Sequence, residues 1–450
     1  MLIEFSVGNY RSFNEIQTLD MRAAPLRDTM PAGQQHTFQA GKYTLLRCSA
    51  VYGANASGKS NLVRAVMFMR QFVQQSATKL QAGEPTGVER FKLDTQAYDR
   101  PAYFQIIFIL HDVMYRYGFE LDEKRVHSEW LYRTRHRESR LFVREGQEFS
   151  ISGALRVKKD IPEMTRPNAL FLSVLAQFNH ELAAEILQWF RTRLRGISGL
   201  DDQVYGRYTI ERTERDETFR RRVQTLLRLA DVGIIGLGIE RIPMSQTEMP
   251  SEIQQALRRF MDALSEKRRG QAPSDEDILL ERVTTVHPVF DSATGEHMRE
   301  EIFDMEMQES EGTKKFFYLL GPWIDTLENG YVLFVDEMDA RLHPLLTREL
   351  VRMFLSPRSN PHNAQLIFAT HDAGLLADRL LRRDEVWFTE KNRYGATELY
   401  SLAEIKARKD ASFYRNYLRG MYGAVPHLGG LQPFVEQEML YGTHPEAERA

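Results

Sequence analysis

Residues Gly53 to Ser60 read GANASGKS, and this spacing of two glycines, a lysine and a serine demands a strand before it and a helix after it. Both are present. Upstream, Thr44-Leu45-Leu46-Arg47-Cys48-Ser49-Ala50-Val51-Tyr52 is mostly apolar; downstream, Asn61-Leu62-Val63-Arg64-Ala65-Val66-Met67-Phe68-Met69 carries apolar residues at helical spacing. Glycine at 53 and 58 lets the backbone turn so that several N–H groups face one anion, and the helix adds the positive end of its dipole. Gly53, Ala54, Asn55, Ala56, Ser57, Gly58, Lys59, Ser60 and Asn61 are therefore expected to cradle the phosphates of a nucleoside triphosphate. Lys59 would reach the β- and γ-phosphates and the Ser60 hydroxyl would sit on Mg²⁺. A chance glycine-rich turn is the alternative, and the strand and helix on either side argue against it.

A chain of 450 residues is long enough for two or three lobes around large cores. Charged residues make up 27% and the net charge is −3, so the whole chain is no polyanion binder and any nucleic-acid contact must be local. Cys48 is the one cysteine, which excludes disulfides and cysteine-based zinc sites within a chain. Its apolar neighbours suggest a buried, inert thiol. Met1-Leu2-Ile3-Glu4-Phe5 lacks the basic start of a signal peptide. No stretch approaches the roughly 20 apolar residues a membrane helix requires. A cytoplasmic protein is expected.

Leu2 to Val7 alternates like a half-buried strand, with Asn9 to Phe13 as a turn and a second strand around Ile16 to Met21. Phe104–Leu110 and Met114–Leu121 read as a hairpin, with further strands at Glu129–Tyr132 and Leu141–Val143. These predict an antiparallel flap beside a main sheet. From Asn168 to Lys267 the spacing becomes helical, without a sustained heptad. Glu211, Glu214, Asp216 and Glu217 alternate with the arginines of 212–228, so a salt-bridged helix face is expected there in preference to a phosphate contact. Residues 265–277 have the composition of a loop.

Tyr331-Val332-Leu333-Phe334-Val335-Asp336-Glu337 is an apolar run ending in two carboxylates, the pattern of a central parallel strand whose C-terminal end faces a ligand. Asp336 would hold Mg²⁺ through water and Glu337 would act as general base on the attacking water. Gln365-Leu366-Ile367-Phe368-Ala369-Thr370-His371-Asp372 is a second such strand, and His371 could donate to a γ-phosphate.

Taken in order, Asn9-Tyr10-Arg11-Ser12-Phe13, GANASGKS, Ser310-Glu311-Gly312-Thr313, Asp336-Glu337 with Met338 to Pro344, and Ala369-Thr370-His371-Asp372 resemble the ABC class of ATPases in its SMC, RecF and OLD-like branch. The resemblance implies an α/β fold: an ABC-type P-loop ATPase head, with a mixed sheet and an antiparallel β flap, split by a helical insertion. It divides the chain into residues 1–155, a mainly helical insertion at 156–295, the second half of the head at 296–404, and a C-terminal segment at 405–450 for oligomerisation or partner binding. It also implies ATP and Mg²⁺ as ligands. Ser310 and Gly312 would be the signature that completes the site of a second copy, with Asp339 in the loop that communicates between copies. The signature lacks its usual second glycine, and the alternative for Ser310 is an ordinary helix cap. Gln74, Gln75 and Gln105 are all candidates for the glutamine loop.

Phe91-Lys92-Leu93-Asp94, Tyr115 to Phe119, Glu129-Trp130-Leu131-Tyr132, Asn168 to Ser173 and Tyr422 to Pro426 extend the resemblance to the stand-alone ABC-type ATPases of bacterial abortive-infection and anti-phage systems, the ATPase subunit of PARIS-type systems among them. That implies a homodimer sandwiching ATP or a higher oligomer, a nuclease or toxin encoded nearby as effector, and a phage protein as trigger. The alternative is a RecF-type ATPase of DNA maintenance. An OLD nuclease is excluded by the shortness of the chain after His371 and by the lack of a metal-binding carboxylate cluster. Lys406, Arg408, Lys409, Arg415 and Arg419, interleaved with Phe413, Tyr414 and Tyr417, suit either DNA or a docked protein, and the protein is preferred.

Overall fold

The computed structural model describes residues 1–26, 28, 30–200, 202–230, 233–243, 279–405 and 411–426, with isolated positions between 252 and 259. The loop expected at 265–277 and the cations Lys406, Arg408 and Lys409 lie outside them. Two compact units result: Met1–Leu194 with the described residues from Ile367 onward, and Arg195–Leu366.

In the first unit, antiparallel strands lie side by side in the order Glu148–Ile151, Glu138–Glu145, Val126–Thr134, Val113–Leu121, Ala102–Leu110, Leu2–Gly8 and Gln17–Asp20. The flap and the N-terminal strands thus form one sheet. Along Ala102–Leu110 burial alternates, with Ala102, Phe104, Ile106 and Phe108 inside, as a period of two requires. That face is covered by the helix Lys59–Gln75, whose Phe68 and Phe72 rings lie 5.1 Å from Phe104 and 5.6 Å from Phe119. Trp189 of the helix Glu181–Thr192 stacks on Phe108 at 4.2 Å. Each aromatic pair adds about 0.5–1.5 kcal/mol beyond its buried area, so the helix after the phosphate loop is anchored by the flap.

The second sheet of this unit contains Cys48–Gly53, buried along its length. It pairs in parallel with Val386–Lys391, which pairs antiparallel with Thr397–Ser401. Burial pushes the Cys48 thiol far above its ordinary range, which makes it inert. The apolar run before the loop forms two strands, Tyr43–Leu46 and Cys48–Gly53. The break falls at Arg47, whose N–H turns to His36 O at 2.8 Å. At the C-terminus, Phe413 and Tyr417 are buried, Tyr417 against Tyr52 and Phe388, each with a ring separation of 5.6 Å. Two aromatics read from sequence as part of a surface patch are therefore core, and Tyr414 is the exposed one.

In the second unit Val332–Asp336 lies beside Leu194–Ser198, and Gly236–Pro243, Leu279–Phe290 and His297–Asp304 form an antiparallel sheet. Within 156–295 the described helices are thus accompanied by strands, because Leu237 and Ile239 alternate with other residue types and find partners from 279 onward. The helices Asp202–Arg215 and Glu311–Asn329 approach closely at Gly206, Gly321 and Thr209, whose hydroxyl donates to Tyr318 O at 2.5 Å. The arginine-rich stretch is salt-bridged, partly by its interleaved acids, with Arg221 reaching Glu217 at 3.1 Å, and partly by the helix Glu311–Asn329, where Arg212 reaches Asp325 at 3.1 Å and Glu328 at 2.6 Å. No helix of the described residues is long and apolar enough to cross a membrane.

Candidate nucleotide site

In the first unit the phosphate loop leaves the buried strand at Gly53 and enters the helix at Lys59. Ala56 has φ 61° and Gly58 φ 120°, backbone that turns the chain sharply and that a side chain at 58 would strain. Space enforces glycine as well. A Cβ at Gly53 would meet Ser57 and Thr389, and one at Gly58 would overlap the Thr397 hydroxyl. The loop is braced from outside: Ser57 Oγ and Thr389 Oγ1 are 2.7 Å apart, and Thr397 Oγ1 donates to Ser57 O at 2.7 Å. Ser12 joins this brace, its oxygen 2.8 Å from Thr397 Oγ1 and 2.8 Å from Asn61 Nδ2. The Asn9–Phe13 turn is itself fastened by Asn9 Nδ2, which donates to Arg100 O at 2.6 Å and Ala97 O at 2.8 Å.

Lys59 is buried, and its ammonium donates to Gly53 O at 2.7 Å and Ala54 O at 3.2 Å. A strong cation is thereby held over the loop's own carbonyls. His371 is exposed one residue after Thr370, whose N–H donates to Val51 O at 3.2 Å. It therefore follows a strand neighbouring the phosphate-loop strand. Asp372 caps the next turn, accepting from Gly374 N at 2.8 Å. Gln105 accepts from Trp130 Nε1 at 3.1 Å and belongs to the flap; Gln74 and Gln75 end the loop helix.

The second unit brings Asp336, Glu337, Asp339, Ser310 and Gly312 to one turn and the helix start beside it. Val332 to Val335 are buried and Asp336 emerges half-buried. Glu337 then adopts φ 52°, a left-handed conformation that costs a non-glycine residue about 1–3 kcal/mol and gathers at functional sites. Gly199 explains how it is held: its N–H donates to Asp336 O at 2.6 Å, and a Cβ there would strike Glu337 O. Lys315, fully buried, donates through Nζ to Gly199 O at 2.7 Å and to Ala340 O. Ser310 is the N-cap of the helix Glu311–Asn329, accepting from Thr313 N at 3.1 Å. Gly312 packs against the same turn, where its Cβ would lie 3.0 Å from Arg341 O. The acid in this motif is neutralised locally: the hydrogen bond and charge of Lys314, 3.0 Å away, with Arg341 beyond, hold Glu311 below the usual carboxylate range.

A family described as "AAA domain, putative AbiEii toxin, Type IV TA system" matches residues 48–156 and 207–377, more than half of the chain. The chain belongs to this family. The match includes the phosphate loop, the Asp336-Glu337 strand and His371, and it is interrupted over 157–206. No curated protein sequence matches. Similar solved structures include an SMC head bound to the C-winged helix domain of ScpA, 14% identical over 89% of this chain and 97% of that one, with a TM-score of 0.35. Another is the SMC head domain from Thermotoga maritima, 12% identical over 89% and 98%, with a TM-score of 0.36.

Thr389, Thr397, Gly199 and Lys315 were not singled out from sequence. Threonine in a strand and lysine in a helix are commonplace, and their role depends on segments distant in the chain.

Proposed function

We propose that this protein is an ATP-hydrolysing ABC-type switch of bacterial anti-phage defence, which controls an effector such as a nuclease or toxin through its nucleotide state. The observation carrying the ATPase reading is the braced loop, with Gly58 at φ 120° and Lys59 held at its centre. Backbone N–H groups of 53–61 and the start of the helix Lys59–Gln75 would bind the phosphates, with Lys59 exchanging loop carbonyls for phosphate oxygens. Ser60 and Asp336 offer the hard oxygen donors that suit Mg²⁺, which when bound neutralises charge on the phosphates. Glu337 would take a proton from the attacking water, its left-handed backbone fixing the carboxylate's direction. His371 would donate to the γ-phosphate. Ser310 and Gly312 of a second copy would supply anion-binding groups at a helix N-terminus, with Asp339 beside them. The defence role is supported by the family's toxin–antitoxin description and by the motifs shared with abortive-infection ATPases.

Binding and turnover separate the parts. Lys59→Ala is expected to lose binding of a fluorescent ATP analogue. Glu337→Gln is expected to retain it, with hydrolysis reduced by at least about a hundredfold, the usual worth of a general base. Normal hydrolysis by either variant would sink the assignment. Retention of the neighbouring gene's product by ATP-loaded Glu337→Gln on size exclusion tests the effector role.

A further inference from the structure

The segment Arg133–Lys159 contains Arg133, Arg135, Arg137, Arg140, Arg156, Lys158 and Lys159, none of which forms an ion pair among the described residues. Of the acids in this segment, Glu138 is bound to Arg116 at 2.8 Å, and Glu145 and Glu148 are exposed on the following hairpin, outside the groove lining. Arg133, Arg135, Arg156 and Lys158 line a groove of about 800 Å³ in the first unit, together with His111, His180 and the exposed Phe178. Glu181 and Glu185 also line it, yet neither pairs with an arginine or lysine there, and Glu185 faces His111 at 3.8 Å.

A chain of net charge −3 that places four arginines and lysines against two glutamates in one groove holds an excess of positive charge there that a bound anion relieves. Past the groove lining, the turn between Val126–Thr134 and Glu138–Glu145 adds Arg137 next to Arg135, whereas Arg140 pairs with Tyr132 on the other face of the sheet; four cations along one groove suit several phosphates of a chain rather than one. Most are arginine, whose planar fork fits phosphate oxygens. Phe178 offers an exposed ring to a base. We propose that this groove binds a nucleic acid through its phosphodiester backbone, with Phe178 as a stacking platform. Its lining shares no residue with the phosphate loop, and its test needs no ATP.

The experiment is fluorescence anisotropy of the full chain with a labelled oligonucleotide, single-stranded or duplex, across a salt titration. Each neutralised phosphate contributes about 0.7–0.9 to the slope of log affinity against log salt. The variant Arg133→Gln/Arg135→Gln/Arg156→Gln/Lys158→Gln should lose about three units of slope and bind at least about a hundredfold more weakly, with ATP turnover unchanged. Phe178→Ala should weaken single-strand binding about tenfold, the order expected for one stacked base, and leave duplex binding intact. Arg135→Glu alone, a milder change to an exposed side chain, should show a smaller loss in the same direction. An unchanged salt slope in the fourfold variant overturns the proposal. So does equal competition by poly-glutamate, which would mark the groove as a seat for an acidic protein.

Discussion

Lys315 ties three pieces of backbone together by means of one side chain. It is fully buried on the helix Glu311–Asn329 and donates to Gly199 O and Ala340 O, while Gly199 N–H holds Asp336 O and Ala340 N–H holds Glu337 O at 3.2 Å. The strained φ of Glu337 is thus maintained by a lysine that lies too far back in the chain's logic to be read as catalytic. A hydrogen bond from a charged donor contributes about 1.5–3 kcal/mol, comparable to the strain it offsets. Lys315→Met keeps the volume and loses the donors. Its expected effect is a fall in kcat of about ten- to a hundredfold with ATP affinity unchanged, a split that marks lost positioning. Lys315→Arg, still a donor, should recover part of the rate. If the lysine acts through Glu337, adding Lys315→Met to Glu337→Gln should cost nothing more; independent losses that multiply would show that it does not.

At the level of elements, the flap sheet is pinned to the helix Phe171–Gln177 by a buried cluster. Glu129 accepts from Phe171 N at 2.6 Å, Leu172 N at 3.0 Å and Tyr117 OH at 2.9 Å, and buried Arg144 lies 3.7 Å away with its own donors on Ala169 O and Gly146 O. Removing one member of a buried pair costs about 3–5 kcal/mol, so Glu129→Ala should lower the denaturant midpoint sharply. Burial raises the Glu129 carboxyl above its ordinary range, with Arg144 and the backbone donors opposing. Folding therefore favours the protonated form: that contribution is full below the unfolded carboxylate pKa of about 4.3 and is lost as pH rises through the higher folded value. Glu129→Gln cannot ionise, so its stability relative to the wild type should improve from pH 4 upward; a constant difference would refute the raised value. The motifs Glu129–Tyr132 and Asn168–Ser173 were legible in the sequence as a resemblance, and the structure supplies their cause. Alternation made the flap readable, as did the apolar runs around the phosphate loop and Asp336. The break at Arg47 and the inward turn of Phe413 and Tyr417 were not, because each is decided by a partner remote in sequence.

For the whole molecule the proposed switch calls for two copies. The phosphate loop lies in the first unit, and the signature Ser310 and Gly312 in the second. In the sandwich proposed above, each site takes its loop from one copy and its signature from the other. Two separately defective proteins should then repair one another. Lys59→Ala spoils the loop and leaves the signature; Ser310→Arg adds bulk and charge at the signature helix start and leaves the loop. Each alone should be inactive. In a heterodimer both lesions fall in one site, and the other site has an intact loop facing an intact signature. Random pairing of equal amounts makes about half of the dimers mixed, each with one of two sites working, so turnover should return to about a quarter of the wild-type value where sites act independently. ATPase activity of the mixture against each variant alone is the measurement. Absence of recovery, with mixed dimers demonstrated by differently tagged copies, would mean that Ser310 serves its own copy, as the cap it visibly is, and that the nucleotide does not bridge two chains.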